Sequence, residues 1–348
     1  MNKIWDNMKE VYDWLEDDLS KRIFESKIEW LMYGKEDKTF DILYDFYEYS
    51  KIPYLEKFHK GKECAIVGAG IKGNITYHAL VHAGYKVKYY IDNSKDKQGS
   101  EKNGVPIISF SDFCLRNEDV IAVIDNLDKS SMFYHELVQL GYDPKKIFLN
   151  NEDIVRSSFG NIYFDLPELK SEGNEVFIDA GCFDGENSLE FIRWSKGNYS
   201  KIYALDPLDD GYYTTKNNLN GYENIEVMKC ALGSKDGEAN FIQGDILMAS
   251  KMGMSKQENM VQVKSIDSIL NGSKATFIKM DIEGGEMEAL KGAVYTIQNY
   301  KPKLAISLYH KREDIIEIPH YIKKILPEYK FYLRHYSNKP WDLVLYGV

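Results

Sequence analysis

The sequence predicts an α/β chain built from two successive doubly wound units, and three observations carry that prediction. Short apolar runs of strand length alternate with stretches of helical period from about residue 62 onward. Two glycine loops, CAIVGAGIKG at 64–73 and VFIDAGCFDGENS at 176–188, each join such a run to a helical stretch. The chain closes on YKFYLRHYS and WDLVLYGV, which read as an antiparallel hairpin. With 348 residues there is length for a core in each unit.

Taken in order, residues 3–58 read as helices, because Trp5, Met8, Val11, Tyr12 and Leu15 recur at helical spacing, as do Ile23, Ile28 and Leu31, then Phe40, Leu43, Phe46 and Tyr47. Residues 1–60 are therefore expected as a helical N-terminal region that packs on the rest or mediates assembly into a homo-oligomer. A small unit follows at 61–150: ECAIV, KVKYYI, VIAVI and IFL are strands, with helices at 73–83 and about 129–140. The polar stretch NNEDIVRSSFGNIYFDLPELKSEGNE, broken by Gly160 and Pro167, connects it to a larger unit at 151–348. There EVFIDA, KIYALD, IEVMKCAL, ATFIKMDI and KLAISLY are strands. Helices lie at 186–195, about 211–219, 285–298 and near 313–326, ahead of the terminal hairpin. Both units have the Rossmann-like alternation.

Composition removes several function classes. A net charge of −10 with no Lys/Arg-rich block excludes nucleic-acid phosphates as a natural partner. Cys64, Cys114, Cys182 and Cys230 are widely spaced without a CxxC pair, which argues against a zinc site and for a reducing compartment. The acid-rich start MNKIWDNMKEVYDWLEDD is unlike a signal peptide, and no run reaches 18 apolar residues. A cytoplasmic protein without a membrane span is expected.

The two glycine loops suit different ligands. In the first, Gly68, Gly70 and Gly73 match GxGxxG, Lys72 adds positive charge, and Asp92 ends the next strand. Backbone amides at a helix start favour a phosphate, and Asp92 can accept ribose hydroxyls. A bare turn whose glycines serve packing is the alternative. In the second, Asp179, Gly181 and Gly185 set D-x-G-x-x-x-G, and Asp184 and Glu186 would repel a pyrophosphate. S-adenosylmethionine instead carries a sulfonium and an ammonium group that acids stabilise. Asn187 and Ser188 can donate to its carboxylate, and Asp206, ending IYALDP, can accept its ribose hydroxyls.

Beyond this spacing, VFIDAGCFDGENS, IYALDP, CALGSKDG, VKSIDSIL and FIKMDIEGGEMEALKGA resemble the FkbM family of S-adenosylmethionine-dependent methyltransferases over about 160–348. The most specific piece, DxEGxExxxLKGA, stands as Asp281, Glu283, Gly284, Glu286, Leu290, Lys291, Gly292 and Ala293. The resemblance implies a class I methyltransferase sheet with a terminal antiparallel hairpin, and O-methyl transfer to sugars of glycans, capsules or secondary metabolites. Residues 61–150 resemble the nucleotide-sugar-binding domain of bacterial sugar acetyltransferases, across VGAGIKG and YYIDNSKDKQGSEKNGVPIIS.

Ligands of open α/β sheets sit beyond the carboxyl ends of the strands, where Asp179, Asp206, Asp281, Glu283 and His310 are all expected. Methyl transfer is an in-line displacement that needs a positioned acceptor and a base. Asp281 and His310 are the candidate bases, His310 having the better-matched ordinary pKa of about 6.5. Glu283 and Glu286 can instead serve the dipole of their helix. A divalent metal on Asp281, Glu283 and His310 is open but not favoured. His335 can face the acceptor. The expected function is O-methylation of a sugar or nucleotide-linked glycan precursor, in polysaccharide or natural-product biosynthesis. The alternatives are an NAD(P)-dependent oxidoreductase using the first loop and a nucleotide-binding assembly module.

Overall fold

The computed structural model describes residues 2–33, 39, 42, 63–82, 84–124, 130–149, 162–243, 250–252, 259–336 and 342–348. Helical expectations at Phe40, Leu43, Phe46 and Tyr47 lie outside them. The chain divides into two compact units, Glu36–Phe159 and a larger one made of Met1–Lys35 with Gly160–Val348. Residues Met1–Lys35, the first part of the region 1–60 read from the sequence as helical, group with the larger unit. Helices α1 (Asn2–Trp14) and α2 (Asp18–Tyr33) and the link between them bury Val11, Leu15, Leu19 and Ile23 within the larger unit. Leu15 bridges to Phe331, and Ser20 Oγ accepts from Leu333 N at 2.8 Å. The helices thus cover the last strand of the sheet, whose free edge would otherwise present unpaired amides. Trp5, expected on the packed face, is 50% exposed.

In the Glu36–Phe159 unit the described elements are β1 (Glu63–Val67), α3 (Ile71–His82), β2 (Lys86–Ile91), β3 (Glu101–Lys102), β4 (Val105–Ile108), α4 (Phe110–Arg116), β5 (Val120–Ile124), α5 (Ser130–Gln139) and β6 (Ile147–Leu149). The sheet order is β3-β4-β2-β1-β5-β6, with only β3 antiparallel. Six strands replace the expected four: β3 and β4 meet across Asn103-Gly104 and are too short to show a period-2 signal. Ala65, Ile91, Phe110, Phe113, Ala122 and Leu137 form its core.

The larger unit continues with β7 (Glu175–Ala180), α6 (Glu186–Trp194), β8 (Tyr199–Leu205), α7 (Asp209–Asn218), β9 (Ile225–Met228), β10 (Ala231–Leu232), β11 (Gly237–Gln243), β12 (Ser250–Met252) and β13 (Asn259–Lys264). Then come α8 (Ile266–Leu270), β14 (Phe277–Met280), α9 (Glu286–Lys291), α10 (Val294–Tyr300), β15 (Lys303–Ser307), α11 (Asp314–Ile325), β16 (Phe331–His335) and β17 (Leu343–Gly347). Its main sheet runs β16-β17-β15-β14-β7-β8-β9, with β17 antiparallel to both neighbours. The terminal hairpin is therefore present, and the strand order reverses between β7 and β14, the position where such sheets take their ligands. Behind it, Phe177 stacks on Phe191 at 4.2 Å within a cluster that includes Phe164, Trp194 and Phe277.

Two expectations change. IEVMKCAL is not one strand: β9 stays in the main sheet, while β10 joins a separate sheet, β10-β13-β11-β12. The helix expected at 285–298 is two, because Asp267 accepts from Tyr295 N and Thr296 N at 2.9 Å each and so caps a fresh start at α10.

Candidate active site

Parallel pairing aligns the carboxyl ends of β7, β8, β14 and β15 at one edge. Register places Lys279 of β14 beside Asp179 of β7, and their side chains form an ion pair of 3.1 Å at 1% and 0% exposure. Lys279 Nζ also donates to the carbonyls of Gly181 (2.7 Å) and Ala180 (3.1 Å). Burial works against its charge, but Asp179 and Asp281 outweigh burial and hold its pKa above the ordinary lysine value. Ser188 Oγ, at the start of α6, donates to Asp179 Oδ2 at 2.7 Å. Asp179 and Ser188 therefore brace the loop from below, each already partnered within the protein. A hydroxyl has one proton to give, and the charge of Asp179 is already matched.

The loop itself is pressed against the end of β14. Gly181 has φ +77, and a Cβ there would lie 1.9 Å from the Asp281 carbonyl oxygen, so no other residue fits. Asp184 Oδ1 accepts from Glu186 N at 3.0 Å, Gly185 precedes the first turn of α6, and Asn187 is half-buried on that turn. Asp206, at the end of β8, is 7% exposed. Its Oδ2 accepts from Phe183 N (3.2 Å) and its Oδ1 from Leu208 N (2.8 Å), which ties it to the glycine loop. Burial raises its pKa despite those bonds. Each oxygen keeps acceptor capacity for a further hydroxyl.

Next to this loop lies a second group of side chains. Asp281 accepts from Tyr309 Oη on Oδ1 and from Tyr163 Oη on Oδ2, both at 2.8 Å. His310 Nε2 is 3.4 Å from both Asp281 Oδ1 and Glu283 Oε2, and its Nδ1 is 2.9 Å from Glu286 Oε1. Glu286 is fully buried and accepts from Ile282 N at 2.9 Å. Burial disfavours a charged His310, but Glu286 first, then Asp281 and Glu283, outweigh it and hold its pKa above 6.5. The expected Asp281, Glu283 and His310 do converge. The carboxylates that lie with a His310 nitrogen within 4.8 Å of one another belong to Asp281 and Glu286.

Sequence reasoning missed Lys279, Tyr163 and Tyr309, and it gave Glu286 only a helix-start role. Burial first, then Asp281, pushes the Tyr163 and Tyr309 hydroxyls far up, so both remain donors. His335 is 1% exposed inside β16, which argues against an acceptor-facing role.

The first glycine loop shows a separate geometry. A Cβ at Gly73 would lie 1.8 Å from Gly68 O, so α3 packs directly on the turn. Asp92 Oδ2 accepts from Ala69 N at 2.8 Å and pairs with Lys97 at 3.2 Å, while Oδ1 accepts from Ser94 N at 2.9 Å. Burial opposes its charge, but these donors hold its carboxyl below the ordinary range. A pocket of about 380 Å³ opens here, lined by Gly68, Gly70, Asp92, Lys97, Phe110 and Phe133 among others. The side chain of Lys72 lies outside the described residues.

The strand order with its inserted antiparallel strand, and the glycine loop at the reversal point, define a class I, S-adenosylmethionine-dependent methyltransferase. Residues 179–333 match the family model described as the methyltransferase FkbM domain. A crystal structure of methyltransferase FkbM from Methylobacillus flagellatus KT is similar over 95% of this chain and 99% of that one, with a TM-score of 0.51 and 20% identity, a likeness of fold. An rRNA methylase from Streptococcus thermophilus is matched with a TM-score of 0.33 and 16% identity over 51% of this chain and 88% of that one. No curated protein matches the sequence. No described helix is long and apolar enough to cross a membrane.

Proposed function

We propose that the chain is an O-methyltransferase acting on a hydroxyl of a sugar or nucleotide-linked glycan precursor. The observation that carries this reading is the Asp281–Glu283–Glu286–His310 group placed directly beside the Gly181–Gly185 loop. When bound, S-adenosylmethionine supplies an activated methyl group on sulfur. The residues present fit it: Gly181 leaves the backbone bare, Asp184 and Glu186 give the loop negative charge, Asn187 can donate to a carboxylate, and Asp206 can accept ribose hydroxyls. Asp179, Lys279 and Ser188 hold that loop in place.

The chain's remaining work is to align the acceptor. As the carbon–sulfur bond breaks and the carbon–oxygen bond forms, the hydroxyl proton must leave. Asp281 and His310 are the groups we assign to receive or guide it. Tyr163 and Tyr309 fix the Asp281 carboxylate for that role. The pocket at Gly68, Gly70 and Asp92 suits a phosphate-bearing ligand, consistent with a nucleotide-linked acceptor. Transfer of radiolabelled methyl from S-adenosylmethionine to a panel of nucleotide-sugars and free sugars tests the reading. Label in none of them, with label in a phenolic or amine acceptor, would overturn the acceptor class.

A further inference from the structure

We propose that Asp281, Glu286 and His310 hold a divalent cation of the first transition row, for which manganese(II) matches the mixed donor set. One carboxylate oxygen of each acid and one ring nitrogen of the histidine all lie within 4.8 Å of one another. Proximity of acids alone would not make a site, and two further observations point to an ion. First, Glu286 is 0% exposed, and among the described residues its Oε2 has no hydrogen-bond partner. Among the described residues neither ring nitrogen of His310, a side chain 6% exposed, makes a hydrogen bond of acceptable angle, although Nδ1 stands 2.9 Å from Glu286 Oε1. Buried polar atoms left this way are costly, and an ion satisfies several at once.

Second, His310 Nε2 stands 3.4 Å from Asp281 Oδ1 and 3.4 Å from Glu283 Oε2. That is long for a hydrogen bond. Three carboxylates surround one imidazole, so the group stays net negative even with His310 protonated, and a cation is attracted. Tyr163 and Tyr309 orient Asp281 as outer partners orient metal ligands. Carboxylates suit hard ions and imidazole suits borderline ones, and manganese(II) accepts both.

An ion here would stabilise the acceptor oxygen as its proton leaves, with Asp281 and His310 then guiding the proton through the ion they hold rather than receiving it themselves. That role rests on the proposed methyl transfer, whereas the site itself does not. The test uses the full chain, stripped with chelator, desalted and titrated with manganese(II) chloride while free ion is followed by electron paramagnetic resonance. One ion per chain is expected. Binding should weaken at least tenfold in Asp281→Asn and in His310→Ala, and remain unchanged in Glu118→Gln, which removes an acid from the other unit. Circular dichroism checks each fold; should His310→Ala not fold, the half-buried Asp281→Asn decides. Absence of saturable binding in the wild type, or equal binding in the wild type and Asp281→Asn, overturns the site. The measurement needs neither methyl donor nor acceptor, so its failure leaves the methyltransferase reading standing.

Discussion

Replacing Lys279 by methionine is expected to be among the most damaging single changes to the larger unit. Methionine keeps the length of the stem but removes the ammonium that faces Asp179 at 3.1 Å, with both side chains at 1% exposure or less. Breaking a buried pair by deleting one partner costs about 3–5 kcal/mol, because the remaining charge is uncompensated. In a unit of this size that corresponds to a fall in Tm of roughly 10 °C. The same change removes the donor to the carbonyls of Ala180 and Gly181, so the glycine loop should loosen and S-adenosylhomocysteine should bind more weakly. Thermal and urea unfolding measure the first effect and calorimetry the second. The double variant Lys279→Met with Asp179→Asn should recover part of the loss, since it removes the stranded charge. If Lys279→Met unfolds within about 1 kcal/mol of the wild type, the pair does not brace the loop and the reasoning fails.

Two further outcomes follow from named contacts. Gly181→Ala should abolish S-adenosylhomocysteine binding, since its Cβ would meet the Asp281 carbonyl at 1.9 Å; retained binding in calorimetry would refute the close packing of loop and strand. Asp165 accepts from Tyr336 Oη, and burial, offset in part by that bond and by Arg334, pushes its carboxyl up to about 6 from 3.8. The folded state then keeps a proton that the unfolded chain releases. Stability should therefore be greatest below about pH 4 for this group and decline as pH rises to about 6, by about 3 kcal/mol for a displacement of that size. Asp165→Asn stays neutral throughout and should lack this decline in urea midpoints, whereas parallel curves would contradict the assignment.

The central strands were legible because both their faces are buried: every residue of β7, β14 and β5 is buried, and each reads as an unbroken apolar run apart from Asp179, Lys279 and Glu175. In the second sheet β10 was not, since it has two residues and no period can show in them. In the site, Asp206 and Asp281 were found because each ends a strand run. The Asp179–Lys279 pair depends on the register of two strands far apart in sequence, which neither strand encodes alone. Tyr163 lies 118 residues from the carboxylate it donates to, in a segment with no periodic pattern. Glu286 was visible in the motif, but its burial against His310 follows only from the sharp turn after β14, where Glu283 has φ +56.

The most direct test of the account is calorimetric titration of the full chain with S-adenosylhomocysteine, in the wild type and in Asp206→Ala. One site per chain is predicted in the wild type, with affinity reduced at least tenfold in the variant, since Asp206 both anchors Phe183 N and is assigned the ribose hydroxyls. No binding heat in the wild type, or the same affinity in both proteins, would contradict the placement of the cofactor on the Gly181–Gly185 loop.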